Sequence, residues 1–214
     1  MGTLLIDVDG TVVDSYPGIR EAFIHSMTSV GIPVPEESWL RRIPGPPMVE
    51  TMRALGQSDS VTAAALACFR QQYDQISWRN SQLFDGWHDA LSEWSSQGIR
   101  LFTATSKNEH LARLTLEYLG VADLFDFIGG ADPTVGRETK ADVIAYVLAT
   151  TETSEHSPIL MVGDRSHDTE GAAAFGIPTM LVTWGYGNEQ EWSHADYHAR
   201  NMAEAKGIVR DFFN

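Results

Sequence analysis

The stretch Leu4-Leu5-Ile6-Asp7-Val8-Asp9-Gly10-Thr11 sets two carboxylates at the end of an apolar strand, followed at once by a glycine turn. Residues i and i+2 of a strand point to one side. The spacing therefore predicts that Asp7 and Asp9 share a face where the backbone turns sharply. Paired carboxylates stay ionised there only if a cation lies between them; otherwise one holds a proton. Either outcome marks an active site.

Outward from this strand, short apolar runs at 3–8, 100–105, 127–128, 159–162 and 179–182 alternate with helical patterns near 87–97, 107–119, 138–149, 168–175 and 201–212. That alternation predicts parallel strands joined by crossover helices. Gly98, Gly120 and Gly176 stand where helix stops are expected. The segment from Ser15 to Phe84 breaks the rhythm. It reads as helices over 17–30, 47–55 and 58–77, with the Pro-rich stretches Pro33-Val34-Pro35 and Pro44-Gly45-Pro46-Pro47 between the first two. A parallel crossover needs about a dozen residues, so residues 15–83 are expected to form an inserted helical cap. Residues 1–14 and 84–214 then make the α/β core, with Leu83-Phe84-Asp85-Gly86 as the return hinge.

The 214 residues are 43% hydrophobic and 21% charged, with 15 Lys and Arg against 29 Asp and Glu, a formal net charge of −14. Phosphate backbones and anionic membranes are held by clustered cations, so neither nucleic acid nor a membrane surface is expected as a partner. An acidic chain acting on an anion needs a local exception: a metal, a few basic residues or helix N-termini. Cys68 is the single cysteine, which excludes a disulfide framework and fits a reducing compartment. No secretory leader is expected ahead of a strand that begins within three residues, and no run approaches the roughly 20 apolar residues of a membrane span. We expect a cytoplasmic protein, monomeric or homodimeric.

Four positions lie at or just beyond the carboxyl ends of predicted strands, where open α/β sheets bind ligands. They are Asp7 with Asp9, Thr105-Ser106-Lys107, Lys140, and Gly163-Asp164-Arg165-Ser166-His167-Asp168. Together they offer a carboxylate nucleophile, a second carboxyl, hydroxyl and amide donors, an ammonium and an acidic pair. Phosphoryl transfer needs such a set: an in-line nucleophile, neutralised equatorial oxygens and a proton for the leaving group. Mg²⁺ takes oxygen ligands and keeps several waters, so a few carboxylates suffice. No His/Cys cluster suggests zinc, and no GxxxxGK[ST] loop suggests a nucleoside-triphosphate motor.

In these four motifs the chain resembles the haloacid dehalogenase superfamily, in its Mg²⁺-dependent phosphatase branch. Asp7-Val8-Asp9-Gly10-Thr11-Val12-Val13-Asp14-Ser15 is similar to the first motif, Thr105 to the second, Lys140 to the third, and Gly163-Asp164 with Asp168 to the fourth. The resemblance implies an α/β fold, a three-layer Rossmann-like parallel sheet core with an inserted all-helical cap. It implies that Asp7 attacks phosphorus and that Asp9 serves as general acid, then base. Thr105 and Ser106 would hold phosphoryl oxygens, and Lys140 would neutralise both Asp7 and phosphate. Mg²⁺ would be bound by Asp7, the Asp9 carbonyl and Asp164, with Asp168 a ligand through water or an orienting partner. The halide-displacing branch lacks the D-x-D pattern, and residues 15–83 contain no lysine for a Schiff base.

Gly45-Pro46-Pro47-Met48 and Phe69-Arg70-Gln71-Gln72-Tyr73 resemble the phosphoglycolate-phosphatase-like group. The stretches from Gly163 to Asp168 and Trp184-Gly185-Tyr186-Gly187 also resemble 5′-nucleotidase-like members. The implied partner is a small phosphorylated metabolite, with a phosphomutase of the same superfamily as the alternative. Arg41, Arg42 and Arg70 are cap residues able to offer an anionic substrate a positive rim.

Overall fold

The computed structural model describes residues 2–44, 48–153 and 157–214. In chain order the elements are β1 (Thr3–Ile6), β2 (Val13–Asp14), α1 (Tyr16–Ser29), α2 (Glu37–Leu40), α3 (Met48–Arg53), α4 (Asp59–Gln75) and β3 (Gln82–Leu83). There follow α5 (Trp87–Ser96), β4 (Arg100–Asn108), α6 (Glu109–Tyr118), β5 (Phe127–Ala131), α7 (Lys140–Thr150) and β6 (Ile159–Gly163). The chain closes with α8 (Ser166–Ala173), β7 (Thr179–Val182), α9 (Glu189–Trp192), β8 (Tyr197–Ala199) and α10 (Met202–Phe213).

Two compact units result, residues 1–13 with 83–214 and residues 14–82. In the first, six parallel strands lie in the order β5-β4-β1-β6-β7-β8, with Thr3 opposite both Arg100 and Ile159. β1 is central because all four of its residues are buried and three are apolar: Leu4, Leu5 and Ile6 are fully buried. Each such side chain contributes about 1.5–3 kcal/mol by leaving water. Alternation divides them between two faces. Leu4 and Ile6 join Leu101, Leu160 and Val162 in a core with Trp87 and Trp94 of α5, Leu116 of α6 and Val209 of α10. Leu5 joins Phe102 and Met161 against Val143, Ile144 and Val147 of α7 and Ala172 of α8. Helices thus cover both faces of the sheet, giving the expected three layers. From β1 the sheet grows one way through β4 and β5, then the chain crosses back to β6 and builds the other way through β7 and β8. The crevice at the carboxyl end of β1 is the ligand position of such sheets.

The second unit holds α1–α4, with Phe23, Met27, Leu40, Ile43, Met52, Phe69 and Tyr73 buried. Ser26 Oγ donates to the Ala65 carbonyl at 2.7 Å, fastening α1 to α4. Arg20 and Tyr16 both reach Glu37 at 2.8 Å, joining α1 to α2. Of the Pro-rich stretch, Gly45, Pro46 and Pro47 lie outside the described residues.

Three features differ from the sequence reading. A sixth sheet strand, Tyr197–Ala199, has only Ala199 buried, so this edge carries no apolar run to announce it. β4 continues three residues past Thr105, and α6 starts at Glu109, not 107, with Asn108 as its N-cap. The pair β2–β3 places short strands at the boundary of a segment read as wholly helical.

Candidate active site

β1 ends at Ile6 rather than Val8, and this changes how the two aspartates face. Asp7 N–H still donates to the Val162 carbonyl at 2.8 Å. At the next residue the chain turns: the amides of Thr11, Val12 and Val13 all converge on the Val8 carbonyl. Asp7 and Asp9 therefore address different partners. Lys140 takes the first and Lys107 the second.

Lys140 opens α7, whose start is set by a reciprocal cap between Thr139 and Asp142. Its side chain is buried, with Nζ 2.9 Å from Asp7 Oδ1, 2.8 Å from Asp168 Oδ1 and 2.8 Å from the Ala104 carbonyl. Burial pulls the ammonium pKa down, but the Asp168 and Asp7 carboxylates outweigh it and the net shift is upward. Lys140 is a fixed positive charge.

Asp164 and Asp168 follow β6. Asp168 Oδ2 accepts from the backbone N–H groups of Asp164 and Arg165, both at 3.1 Å, so both its oxygens are engaged. Asp164 Oδ2 accepts from Tyr186 N–H at 2.6 Å, while its Oδ1 is buried and accepts no hydrogen bond from the described residues. Burial is the main force raising the Asp164 carboxyl well above its usual range, with Asp168 and Asp7 adding to it. The Asp168 carboxyl is also raised, by burial first, against the pull of Lys140. Asp7, Asp164 and Asp168 each offer a carboxylate oxygen within 4.8 Å of the others. Among the described residues, three buried carboxylates here share one ammonium in direct contact, which leaves the pocket short of positive charge. An oxygen-seeking divalent cation would meet that deficit and give the orphaned Asp164 oxygen a partner.

The wall beside this cluster is backbone. Gly10 has φ +82°, and a Cβ there would strike the Asp164 carboxylate and the Tyr186 ring. Trp184 Nε1 donates to the Thr11 carbonyl at 3.1 Å, tying the loop after β7 to the loop after β1. Gly10→Ala is expected to destabilise the fold by about 1–2 kcal/mol through the left-handed backbone alone. Displacing Asp164 adds to that cost. Urea unfolding measures the total, and a loss under about 0.5 kcal/mol, the size of an ordinary surface substitution, would contradict the crowding.

Thr105 is buried one residue beyond Ala104 and accepts from Lys107 N–H at 3.2 Å through Oγ1; Ser106 is exposed. Arg41, Arg42 and Arg70 are exposed and belong to the helical unit. Arg42 lines a small cavity there with Trp39, Ile43, Glu50, Thr51 and Ala54. Two members of the site went unread in the sequence. The Tyr186 amide leaves no mark in a sequence, being a main-chain donor. Lys107 stood beside Thr105 but received no role.

The chain is 43% identical over 184 residues to tyrosine-protein kinase PtkA of Mycobacterium tuberculosis, an alignment covering 86% of this chain and 62% of that one. It thus spans less than two thirds of that relative's length. It is 29% identical to a 5′-nucleotidase of Pseudomonas aeruginosa, with 88% and 85% of the two chains covered. A haloacid dehalogenase-like family hydrolase from Streptococcus pneumoniae superposes with a TM-score of 0.90 at 30% identity, over 97% of both chains. The profile of haloacid dehalogenase-like hydrolases matches residues 4–182, which takes in Asp7, Lys140, Asp164 and Asp168. The chain belongs to the haloacid dehalogenase-like hydrolase family.

Proposed function

We propose that this chain hydrolyses small phosphate monoesters through a phosphoryl group carried on Asp7. The observation that supports it most is the Lys140 ammonium held between Asp7 and Asp168, beside the orphaned oxygen of Asp164. A strand-end carboxylate can approach a dianionic phosphate only where its own charge is compensated. Mg²⁺, held by Asp7, Asp164 and the Asp9 carbonyl, would neutralise phosphoryl oxygens when bound. Asp7 attacks phosphorus, and Asp9 protonates the departing oxygen and later takes a proton from the attacking water. Thr105 and the Ser106 amide hold phosphoryl oxygens. Asp168, with both oxygens already engaged, orients Lys140 and the Asp164 loop. Arg41, Arg42 and Arg70 contribute to substrate choice, with phosphoglycolate and nucleoside 5′-monophosphates as first candidates.

The test is phosphate release from a panel of phosphorylated metabolites. Chelation is expected to stop it and added Mg²⁺ to restore it. Mg²⁺ at about 100 times its dissociation constant should also stabilise the fold by about 2.7 kcal/mol. Release that persists undiminished in excess chelator would overturn the reading.

The likeness to PtkA favours a second reading. The phosphoryl group on Asp7 can be taken by a hydroxyl other than water, such as a tyrosine of a protein. Incubation with ATP and Mg²⁺ separates the two readings: phosphotyrosine without release of phosphate from the panel supports transfer.

A further inference from the structure

We propose that Lys107 is a positioning residue for Asp9, an inference that rests on the phosphatase reading above. Its Nζ lies 3.1 Å from both carboxylate oxygens of Asp9. Lysine carries a strongly hydrated point charge and is seldom buried. Here the residue is only 9% exposed, between exposed Ser106 and Asn108.

A local irregularity of the sheet puts it there. Against β5, Thr105 lies opposite Gly130 but Asn108 lies opposite Ala131. Ser106 and Lys107 are thus extra residues on β4, the kind of bulge that re-aims a side chain. Gly130 leaves room for it: a Cβ at that position would sit 2.8 Å from the Lys107 carbonyl oxygen and 2.7 Å from Glu109 Cα. The Lys107 amide is itself held by Thr105 Oγ1.

Asp9 needs such a partner. Its backbone is set by the turn that Gly10 N–H closes on the Val13 carbonyl at 2.9 Å, a contact between main-chain groups that does not itself set the rotation of the carboxyl. An ammonium contacting both oxygens fixes that rotation. In the first half-reaction the Asp7 oxygen forms its bond to phosphorus as the bond to the ester oxygen breaks. The Asp9 carboxyl proton moves to that departing oxygen. In the second, a water oxygen bonds to phosphorus and gives its proton to the Asp9 carboxylate. The bond to Asp7 breaks, freeing inorganic phosphate and the Asp7 carboxylate. A carboxyl turned away serves neither step, and misplacement by about 1 Å costs on the order of 10²-fold.

The first half-reaction supplies a test that a purely structural lysine would not pass. kcat/KM reports steps up to departure of the leaving group. An alkoxide needs the Asp9 proton to leave, whereas p-nitrophenolate leaves without one. The measurement is kcat/KM for p-nitrophenyl phosphate and for the fastest alkyl phosphate of the panel, in wild type, Lys107→Met and Asp9→Asn. The alkyl-to-aryl ratio is expected to fall about 10- to 100-fold in Lys107→Met. Little further fall is expected when Lys107→Met is added to Asp9→Asn. If Lys107→Met does not fold, Lys107→Gln, which keeps an uncharged NH₂ donor on a shorter stem, is read by the same ratio. An unchanged ratio, whether both substrates slow equally or neither does, overturns the positioning role and leaves the phosphatase reading intact. A wild type that releases phosphate from neither substrate overturns that reading and this inference with it.

Discussion

Asp7→Asn is expected to remove phosphate release almost completely, by about 10⁴-fold or more, as loss of a covalent nucleophile does. The amide matches the carboxylate in size but is too weak a nucleophile to attack phosphorus. Folding is not expected to suffer. Lys140 keeps its 2.8 Å contact to Asp168 and its bond to the Ala104 carbonyl, and the pocket loses one of three crowded negative charges. Phosphate release and urea unfolding measured together separate chemistry from stability. Turnover within tenfold of wild type would rule out covalent catalysis at Asp7, and a large loss of stability would contradict the charge count.

Lys140→Met is expected to damage both. Three buried carboxylates lose the ammonium that compensates them, and breaking such a set costs about 3–5 kcal/mol at neutral pH. Activity should fall on the order of 10²- to 10³-fold, the loss seen when a fixed donor to developing charge is removed. The folded-state pKa of Lys140 is raised, so its contribution is complete below the ordinary lysine range and is lost only as pH rises through the folded value. Wild type thus keeps the full benefit across the neutral range. The variant can relieve repulsion by protonating its carboxylates, so the stability gap should narrow as pH falls. Mg²⁺ should recover part of the stability and little of the activity. A variant as stable as wild type without Mg²⁺ would show that the cluster does not depend on Lys140.

The sheet and the meeting of Asp7, Lys140, Asp164 and Asp168 were legible because each residue follows an apolar strand, and parallel strands bring their carboxyl ends to one edge. The finer geometry was not. The i, i+2 rule put Asp7 and Asp9 on one face, yet the turn that closes on Val8 sends them to different lysines. The same alternation, applied to Thr105, would have picked out Lys107: both are buried, with exposed Ser106 between them. β8 escaped notice because two of its three residues are exposed. The Tyr186 amide escaped because main-chain donors are invisible to residue type.

The central place of β1 also has a consequence for how this molecule forms. β1 precedes the inserted helices, but both strands that flank it, β4 and β6, come after them. On the ribosome it therefore waits, largely apolar and unpaired, until the inserted helices and β4 have emerged. Such distant pairing raises contact order, which slows folding and prolongs exposure to aggregation. The helices α1–α4, which touch one another locally, can form during that delay.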